Sequence, residues 1–174
     1  MKKLMIVFPG IGYGPDCPLL YYGDFLFETK GYERIHVRYP VSLTDRSIPL
    51  EVRLEQLRKY ETEQLRTVDL ADYEEIVFLS KSVGTVEAGW IAETLGLKVR
   101  QIFLTPLGEA MGYCRADSKV VIGTRDSAFP AVKTYCEKHQ IDALYIEDAD
   151  HALEIAGKPE ESIEVLKKVI EFIG

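Results

Sequence analysis

Six short apolar runs, separated by segments with helical periodicity, are the strongest constraint on the fold of this chain. Several of the runs are almost continuously apolar, which is typical of strands covered on both faces in a parallel sheet. We therefore expect an α/β fold: a doubly wound, mostly parallel six-stranded sheet with helices on both faces. The predicted strands are Leu4–Phe8, Arg34–Arg38, Glu75–Ser80, Gln101–Leu104, Lys119–Gly123 and Ala143–Ile146.

The intervening segments predict helices because their apolar residues recur every three or four positions. Gly96 stands where a helix is expected to stop, and Pro130 and Pro159 stand near helix starts. The segment Tyr39–Pro49 is expected to be a loop. The apolar stripes lie within Leu50–Leu65, Ala88–Leu95, Val132–Cys136 and Ile163–Ile173, and Pro18–Thr29 is also predicted to be helical.

Length and charge limit the classes of function. The 174 residues favour a single domain, 1–174, without linker or repeat, and the formal net charge is −7. An acidic chain repels phosphate backbones and anionic lipids, so neither nucleic acid nor membrane is expected as a partner. No secretory or membrane-spanning segment is recognisable, and three scattered cysteines form neither a disulfide framework nor a zinc motif. We expect a cytoplasmic protein and leave its oligomeric state open.

The third predicted strand runs into Ser80-Lys81-Ser82-Val83-Gly84 and then a helix. A serine on a sharp strand-to-helix turn projects its hydroxyl above the sheet, and small residues on either side let strand and helix approach closely. Ser82 is therefore a candidate nucleophile, although a helix-capping serine is the alternative. The amide of Val83, at the helix N-terminus, is a candidate for stabilising an oxyanion.

A serine nucleophile needs a base, and His151 is the best candidate among three histidines. It follows the last predicted strand, and an open α/β sheet places its site at the carboxyl ends of the strands. By contrast, His36 lies within a predicted strand and His139 near the end of a predicted helix, where packing or surface roles are expected.

The base in turn needs an orienting acid, and Asp126 follows the fifth predicted strand. A turn or helix-capping aspartate is the alternative interpretation of that residue. Asp148 and Asp150 are close to His151 in sequence, which makes a well-oriented contact with its ring difficult. Glu109, after the fourth strand, is the more serious rival.

The first predicted strand ends in a glycine-rich turn, Phe8-Pro9-Gly10-Ile11-Gly12-Tyr13-Gly14. Glycines let a backbone approach a ligand closely, so the amide of Ile11 is a candidate second oxyanion donor. Gly10, Gly12, Tyr13 and Met111 are candidates for lining the substrate pocket. The turn does not have the Gly-x-Gly-x-x-Gly spacing of a dinucleotide loop, and its Pro15 has no amide N–H for a phosphate.

Together these segments resemble the α/β-hydrolase superfamily over essentially the whole chain. The order Ser82, Asp126, His151 is that of the superfamily. Pro-Gly-Ile-Gly resembles its oxyanion segment, and Gly-Thr-Arg-Asp-Ser-Ala-Phe-Pro and Asp-His-Ala-Leu resemble its acid and histidine segments. The resemblance implies a Ser82 nucleophile, a His151 base oriented by Asp126, and an oxyanion hole from Ile11 and Val83. It implies no cofactor and no metal.

The resemblance also predicts a substrate class. The chain is short for the superfamily, and the segment Thr105–Ser118, near which a cap domain usually inserts, spans about a dozen residues. We therefore expect a lidless serine hydrolase, an esterase or thioesterase that acts on a small ester or thioester. Lys81 and Arg125 flank the candidate residues and would favour an anionic substrate if they faced it, but side chains adjacent in the chain often point away from a site. A non-catalytic binding or regulatory protein on the same scaffold, or a nucleotide-binding domain, are the alternatives.

Overall fold

Six parallel strands form one sheet in the computed structural model, which describes residues 2–45 and 47–174. The sheet order is β2-β1-β3-β4-β5-β6, and every neighbouring pair runs parallel. This confirms the predicted fold class, with the sheet wholly rather than mostly parallel. The strands are β1 (Lys3–Phe8), β2 (Glu33–His36), β3 (Glu75–Lys81), β4 (Arg100–Leu104), β5 (Lys119–Gly123) and β6 (Asp142–Ile146).

Five α-helices connect or follow these strands within the described residues. A proline stands in the first turn of α1, α4 and α5, where the missing amide N–H costs no hydrogen bond. Gly96 ends α3 as predicted: at φ +62° it closes a Schellman motif, in which the Leu97 amide donates to the Ala92 carbonyl at 2.8 Å. The helices are α1 (Pro18–Thr29), α2 (Leu50–Leu65), α3 (Val83–Thr94), α4 (Phe129–His139) and α5 (Pro159–Ile173).

The two faces of the sheet bury different sets of helices because side chains alternate along each strand. Met5 and Val7 of β1 pack with α1 and α5. Leu4, Ile6 and Phe8 pack in a cluster that contains side chains of α2 and α3. Helices therefore cover both faces, which explains why the strand runs are almost continuously apolar.

The second strand is the clearest difference in boundaries. Arg34–Arg38 is the predicted range, whereas β2 spans Glu33–His36. It lies at the edge of the sheet, and Pro40 comes shortly after with no amide N–H for a ladder. The predicted loop Tyr39–Pro49 contains a 3-10 helix at Val41–Thr44, and Arg46 within it lies outside the described residues, as does Met1.

Two glutamates are buried beneath the α2–α3 surface. Glu61 of α2 and Glu87 of α3 are each 0% exposed. The Tyr39 hydroxyl donates to Glu61 Oε1 at 2.8 Å, and Arg58 Nε lies 3.4 Å from Glu87 Oε1. Burial raises the pKa of Glu87 to about 7, and burial together with the neighbouring Glu87 charge raises the pKa of Glu61 well above its ordinary value.

This pair is expected to make stability depend on pH. A carboxyl whose pKa is raised on folding binds more protons in the folded state, so its contribution is present below pH 4.5 and is lost as pH rises through about 7. Over that range we expect the free energy of unfolding to decline by about 1–3 kcal/mol. Glu87→Gln should make this decline smaller. Urea denaturation at pH 5 and pH 7.5 measures it. Glu93→Gln, an exposed position on the same helix, should retain the wild-type slope, and an unaltered slope in Glu87→Gln would contradict this account.

Candidate active site

The candidate residues gather at the carboxyl edge of the sheet. β1 connects to β2 on one side and the neighbouring β3 connects to β4 on the other, so the loops after β1 and β3 diverge at a topological switch point. In open α/β sheets, ligands bind in the crevice at such a point. The loops after β5 and β6 carry Asp126 and His151 to the same edge.

Ser82 occupies the turn between β3 and α3 in a strained backbone conformation. Its φ of 53° and ψ of −123° are rare for a residue with a side chain. Gly84 lets the turn form, because a Cβ there would lie 2.5 Å from the Pro9 carbonyl oxygen. Ser80, at the other small position, is fully buried and donates from its hydroxyl to the Ile102 carbonyl at 3.0 Å.

Ser82, His151 and Asp126 form a hydrogen-bonded series with the histidine in the middle. His151 Nε2 is 2.8 Å from Ser82 Oγ, and His151 Nδ1 is 2.6 Å from Asp126 Oδ2. The side chain of Asp126 is 1% exposed and that of His151 is 47% exposed. The arrangement can transfer a proton from the serine to the imidazole while the carboxylate orients the ring.

The environment of Asp126 keeps it ionised. Burial by itself raises the pKa of this carboxyl, but the hydrogen bond with His151 and a second from the Ala128 amide at 2.9 Å lower it below its ordinary value. An ionised carboxylate against Nδ1 favours the tautomer that carries its proton there, which leaves Nε2 free to accept a proton from Ser82.

The rival acids lie elsewhere. Glu109 is solvent-exposed on a 3-10 helix, Gly108–Tyr113. Asp148 is exposed, and Asp150 Oδ1 accepts hydrogen bonds from the amides of Ala152 and Glu154. The structure therefore places Asp126, and none of these three, against the His151 ring.

The other two histidines lie in a strand and at the end of a helix, as the sequence predicts. His36, at the end of β2, has Nε2 3.1 Å from Asp24 Oδ2. His139 stacks on the Tyr135 ring at the end of α4, with 4.2 Å between ring centroids. Both lie outside the cluster around Ser82.

The loop after β1 lies against the Ser82 turn. A Cβ added to Gly10 would lie 3.2 Å from Ser82 Cβ, and Gly12 adopts a φ of +72°. Gly10 and Tyr13 exchange backbone hydrogen bonds of 3.0 and 3.2 Å, which make a tight turn around Ile11. Val83 is the first residue of α3, so its amide has no acceptor within that helix, and among the described turns and loops the Ile11 amide donates to no backbone carbonyl.

Three of the four candidate pocket residues line a common cleft of about 270 Å³. These are Gly10, Gly12 and Tyr13, and Arg38 and Tyr39 also line it. Met111, the fourth candidate, is 4% exposed and packs in a core cluster that also contains Val83.

Lys81 is a member of the site that sequence patterns did not predict. Its side chain is buried at 1% exposure, and its Nζ donates to Thr105 Oγ1 at 2.6 Å and to the His151 carbonyl at 2.7 Å. Burial lowers the pKa of Lys81 to about 8. A lysine beside a serine in the sequence gives no indication of such burial.

Two kinds of feature, a metal-binding cluster and a membrane-spanning helix, are not found in residues 2–45 and 47–174. No cluster of three or more His, Cys, Asp or Glu side chains in those residues is arranged to hold a metal ion. The three cysteines are free thiols. None of the described helices has both the length and the apolar character needed to cross a bilayer.

Neither family models nor curated proteins match this sequence. Solved structures do match, and three of them have TM-scores of 0.60 to 0.67. Est1E from Butyrivibrio proteoclasticus with bound ferulic acid has a TM-score of 0.67 and 13% identity, covering 98% of this chain and 88% of that one.

An alpha-beta serine hydrolase homologue from Coxiella burnetii has a TM-score of 0.64 and 13% identity, and the match covers 99% of this chain and 85% of that one. MGS-MChE2 is an α/β-hydrolase enzyme from a sediment metagenome of the Mar Chica lagoon in Morocco. It has a TM-score of 0.60 and 17% identity, and the match covers 98% of this chain and 91% of that one. Identities this low establish fold but not activity. The chain therefore has the α/β-hydrolase fold.

Proposed function

We propose that this protein is a serine hydrolase that cleaves a small carboxylic ester or thioester through an acyl-enzyme. The observation that carries the proposal is the hydrogen-bonded series from Ser82 Oγ to His151 and on to Asp126. Each of the three residues lies directly after a different parallel strand or in the loop after it, where catalytic groups of open α/β sheets are found.

The first half of the reaction forms the acyl-enzyme. Ser82 Oγ attacks the substrate carbonyl carbon while His151 Nε2 takes the hydroxyl proton. The carbonyl oxygen becomes an oxyanion, which the amides of Ile11 and Val83 stabilise. When the tetrahedral intermediate collapses, the bond to the leaving group breaks and His151 returns the proton to the departing alkoxide or thiolate.

The second half releases the acid. His151 deprotonates a water, which attacks the acyl carbon, and the proton then passes to Ser82 Oγ as the acyl bond breaks. Asp126 remains a carboxylate throughout, holding Nδ1–H and stabilising the imidazolium that forms twice in each cycle.

The proposed substrate is small because little protein covers the site. The connection from β4 to β5 contains a 3-10 helix of six residues, Gly108–Tyr113, so we propose a single lidless domain. The cleft beside Gly10 has room for a small acyl or alcohol group at about 270 Å³. Est1E, a similar fold, has been solved with ferulic acid bound, which supports a carboxylic acid or its ester as the ligand class.

Labelling with a fluorophosphonate probe tests the proposal directly. We expect one phosphonyl group per folded chain, located on the Ser82 peptide by mass spectrometry, and hydrolysis of p-nitrophenyl acetate or of acyl thioesters in a panel. Ser127→Ala, which removes an exposed serine next to Asp126, should label normally. Labelling at another residue, or no labelling, would overturn the assignment, and labelling without turnover across the panel would favour a binding protein.

A further inference from the structure

Lys81 places a positive charge in the interior beside Ser82. It is the last residue of β3 and is 1% exposed. It continues the row formed by Val77 and Leu79, whose side chains face α1 and α5 in the apolar core. A buried ammonium group is costly unless hydrogen bonds and opposite charges compensate it, so its partners indicate why it is tolerated.

The partners of Lys81 come from different loops of the candidate site. Its Nζ donates to Thr105 Oγ1, after β4, at 2.6 Å and to the His151 carbonyl, after β6, at 2.7 Å. Nζ also lies 4.6 Å from the ring centroid of Tyr13, in the loop after β1. One ammonium group thus contacts three separate loops that surround Ser82.

Negative groups compensate part of the burial cost. Burial is the largest influence on Lys81 and lowers its pKa to about 8, while the charges of Asp126 and Asp150 act in the opposite direction, with a smaller contribution from Glu154. The side chain is therefore mainly an ammonium at neutral pH, with three N–H groups to donate.

The backbone of His151 belongs to a turn. It lies outside the helices and strands, in the connection from β6 to α5, where Asp148 and Leu153 have positive φ angles of 58° and 60°. Asp126 holds the ring of His151, and Lys81 holds its carbonyl. Because Lys81 is bonded to Ser82 through a peptide link, the Lys81 contact ties the backbone of the base to that of the nucleophile.

We propose that Lys81 is a positioning residue for the hydrolytic reaction, holding the His151 backbone against the end of β3 so that Nε2 stays within reach of Ser82 Oγ. The inference rests on the proposed function, since it concerns the same three residues. Lys81 would not contact substrate and would act on the rate through His151. A displacement of about 1 Å in such a group can cost roughly 100-fold in rate.

Lys81→Met tests this role, because methionine fills similar space without charge or donors. We expect kcat for p-nitrophenyl acetate to fall roughly 10- to 100-fold while KM changes less than about threefold. The rate of fluorophosphonate labelling should fall in parallel, since it depends on the same activation of Ser82. Rates are normalised to folded protein by circular dichroism. Lys59→Met, at an exposed position on α2, is the matched control and should behave as wild type.

An unchanged kcat per folded molecule in Lys81→Met, with only a lower Tm, would overturn the inference in favour of a purely structural lysine. If Lys81→Met does not fold, Lys81→Gln serves instead, because it keeps a donor on a shorter, neutral side chain that cannot bridge the same partners. We expect Lys81→Gln to lower kcat as well, and unchanged kcat there would equally reject the role.

A readout independent of turnover separates this inference from the proposed function. Nitrogen-15 spectra of the histidine side chains report the hydrogen bond between His151 Nδ1 and Asp126, and we expect this signal to shift or broaden in Lys81→Met. If wild-type protein is neither labelled nor active, the proposed function fails and the spectra alone decide the role of Lys81. An unperturbed His151 signal would then reject it.

Discussion

Ser82→Ala is expected to lower kcat for p-nitrophenyl acetate by roughly four to six orders of magnitude. The hydroxyl is the proposed attacking group, and within the site His151 Nε2 lies 2.8 Å from it. Without it, the acyl-enzyme cannot form, and the remaining rate comes from the oxyanion amides and from binding. Steady-state turnover and fluorophosphonate labelling are the measurements, and labelling should disappear completely.

The fold of Ser82→Ala should survive, because the substitution removes one hydroxyl and leaves the backbone in place. Alanine at a φ of 53° is as strained as serine, so the thermal transition should move by only a few degrees. Ser127→Ala carries the same chemical change at an exposed position and should retain full activity. Turnover by purified Ser82→Ala at the wild-type rate, with no labelled contaminant, would exclude a Ser82 nucleophile.

Asp126→Asn is expected to lower kcat by about 10⁴-fold. An asparagine can present its NH₂ group to His151 Nδ1, which favours the tautomer with its proton on Nε2, where it cannot accept from Ser82. The substitution also removes the negative charge that stabilises the imidazolium. Glu109→Gln should leave kcat unchanged, because that carboxylate is exposed. Steady-state kinetics of both variants, with KM measured separately, decide between the two candidate acids.

The reverse pattern, with Glu109→Gln impaired and Asp126→Asn active, would assign the acid to the 3-10 helix after β4. Asp126→Asn should also weaken labelling of Ser82 without abolishing it, since the serine hydroxyl and the oxyanion amides remain. Circular dichroism should be used to measure the folded fraction of both variants first, so that a loss of folded protein is not mistaken for a loss of kcat.

The strands could be predicted from sequence because burial on both sheet faces requires short, almost continuously apolar runs of residues. Lys119–Gly123 is predicted with the observed bounds, and Glu75–Ser80 extends by one residue in the structure. The edge strand β2 is predicted less well, since it ends at His36 rather than Arg38, whereas the other edge strand, β6, differs by one residue. Where β2 ends depends on its one neighbour and on the path of the loop that follows, which local composition does not encode.

The candidate site was predictable in part because its residues follow strands that the sequence predicts. Ser82, Asp126 and His151 each come after a strand, and the carboxyl ends of parallel strands bring their loops to one edge of the sheet. The choice between Asp126 and Glu109 was open in the sequence, and the structure places Asp126 Oδ2 2.6 Å from His151 Nδ1. Met111 was a candidate pocket residue, but its side chain packs in the core.

The sequence by itself determined the class of fold and the short set of residues at the carboxyl edge of the sheet. Both depend on local periodicity and on position along the chain. The tertiary structure alone decided which acid faces His151 and where the Lys81 side chain points. Lys81 is 70 positions from His151 in the chain, and their contact exists because β3 and the loop after β6 end at the same edge. Contacts across such separations depend on packing of the whole domain, which no local pattern encodes.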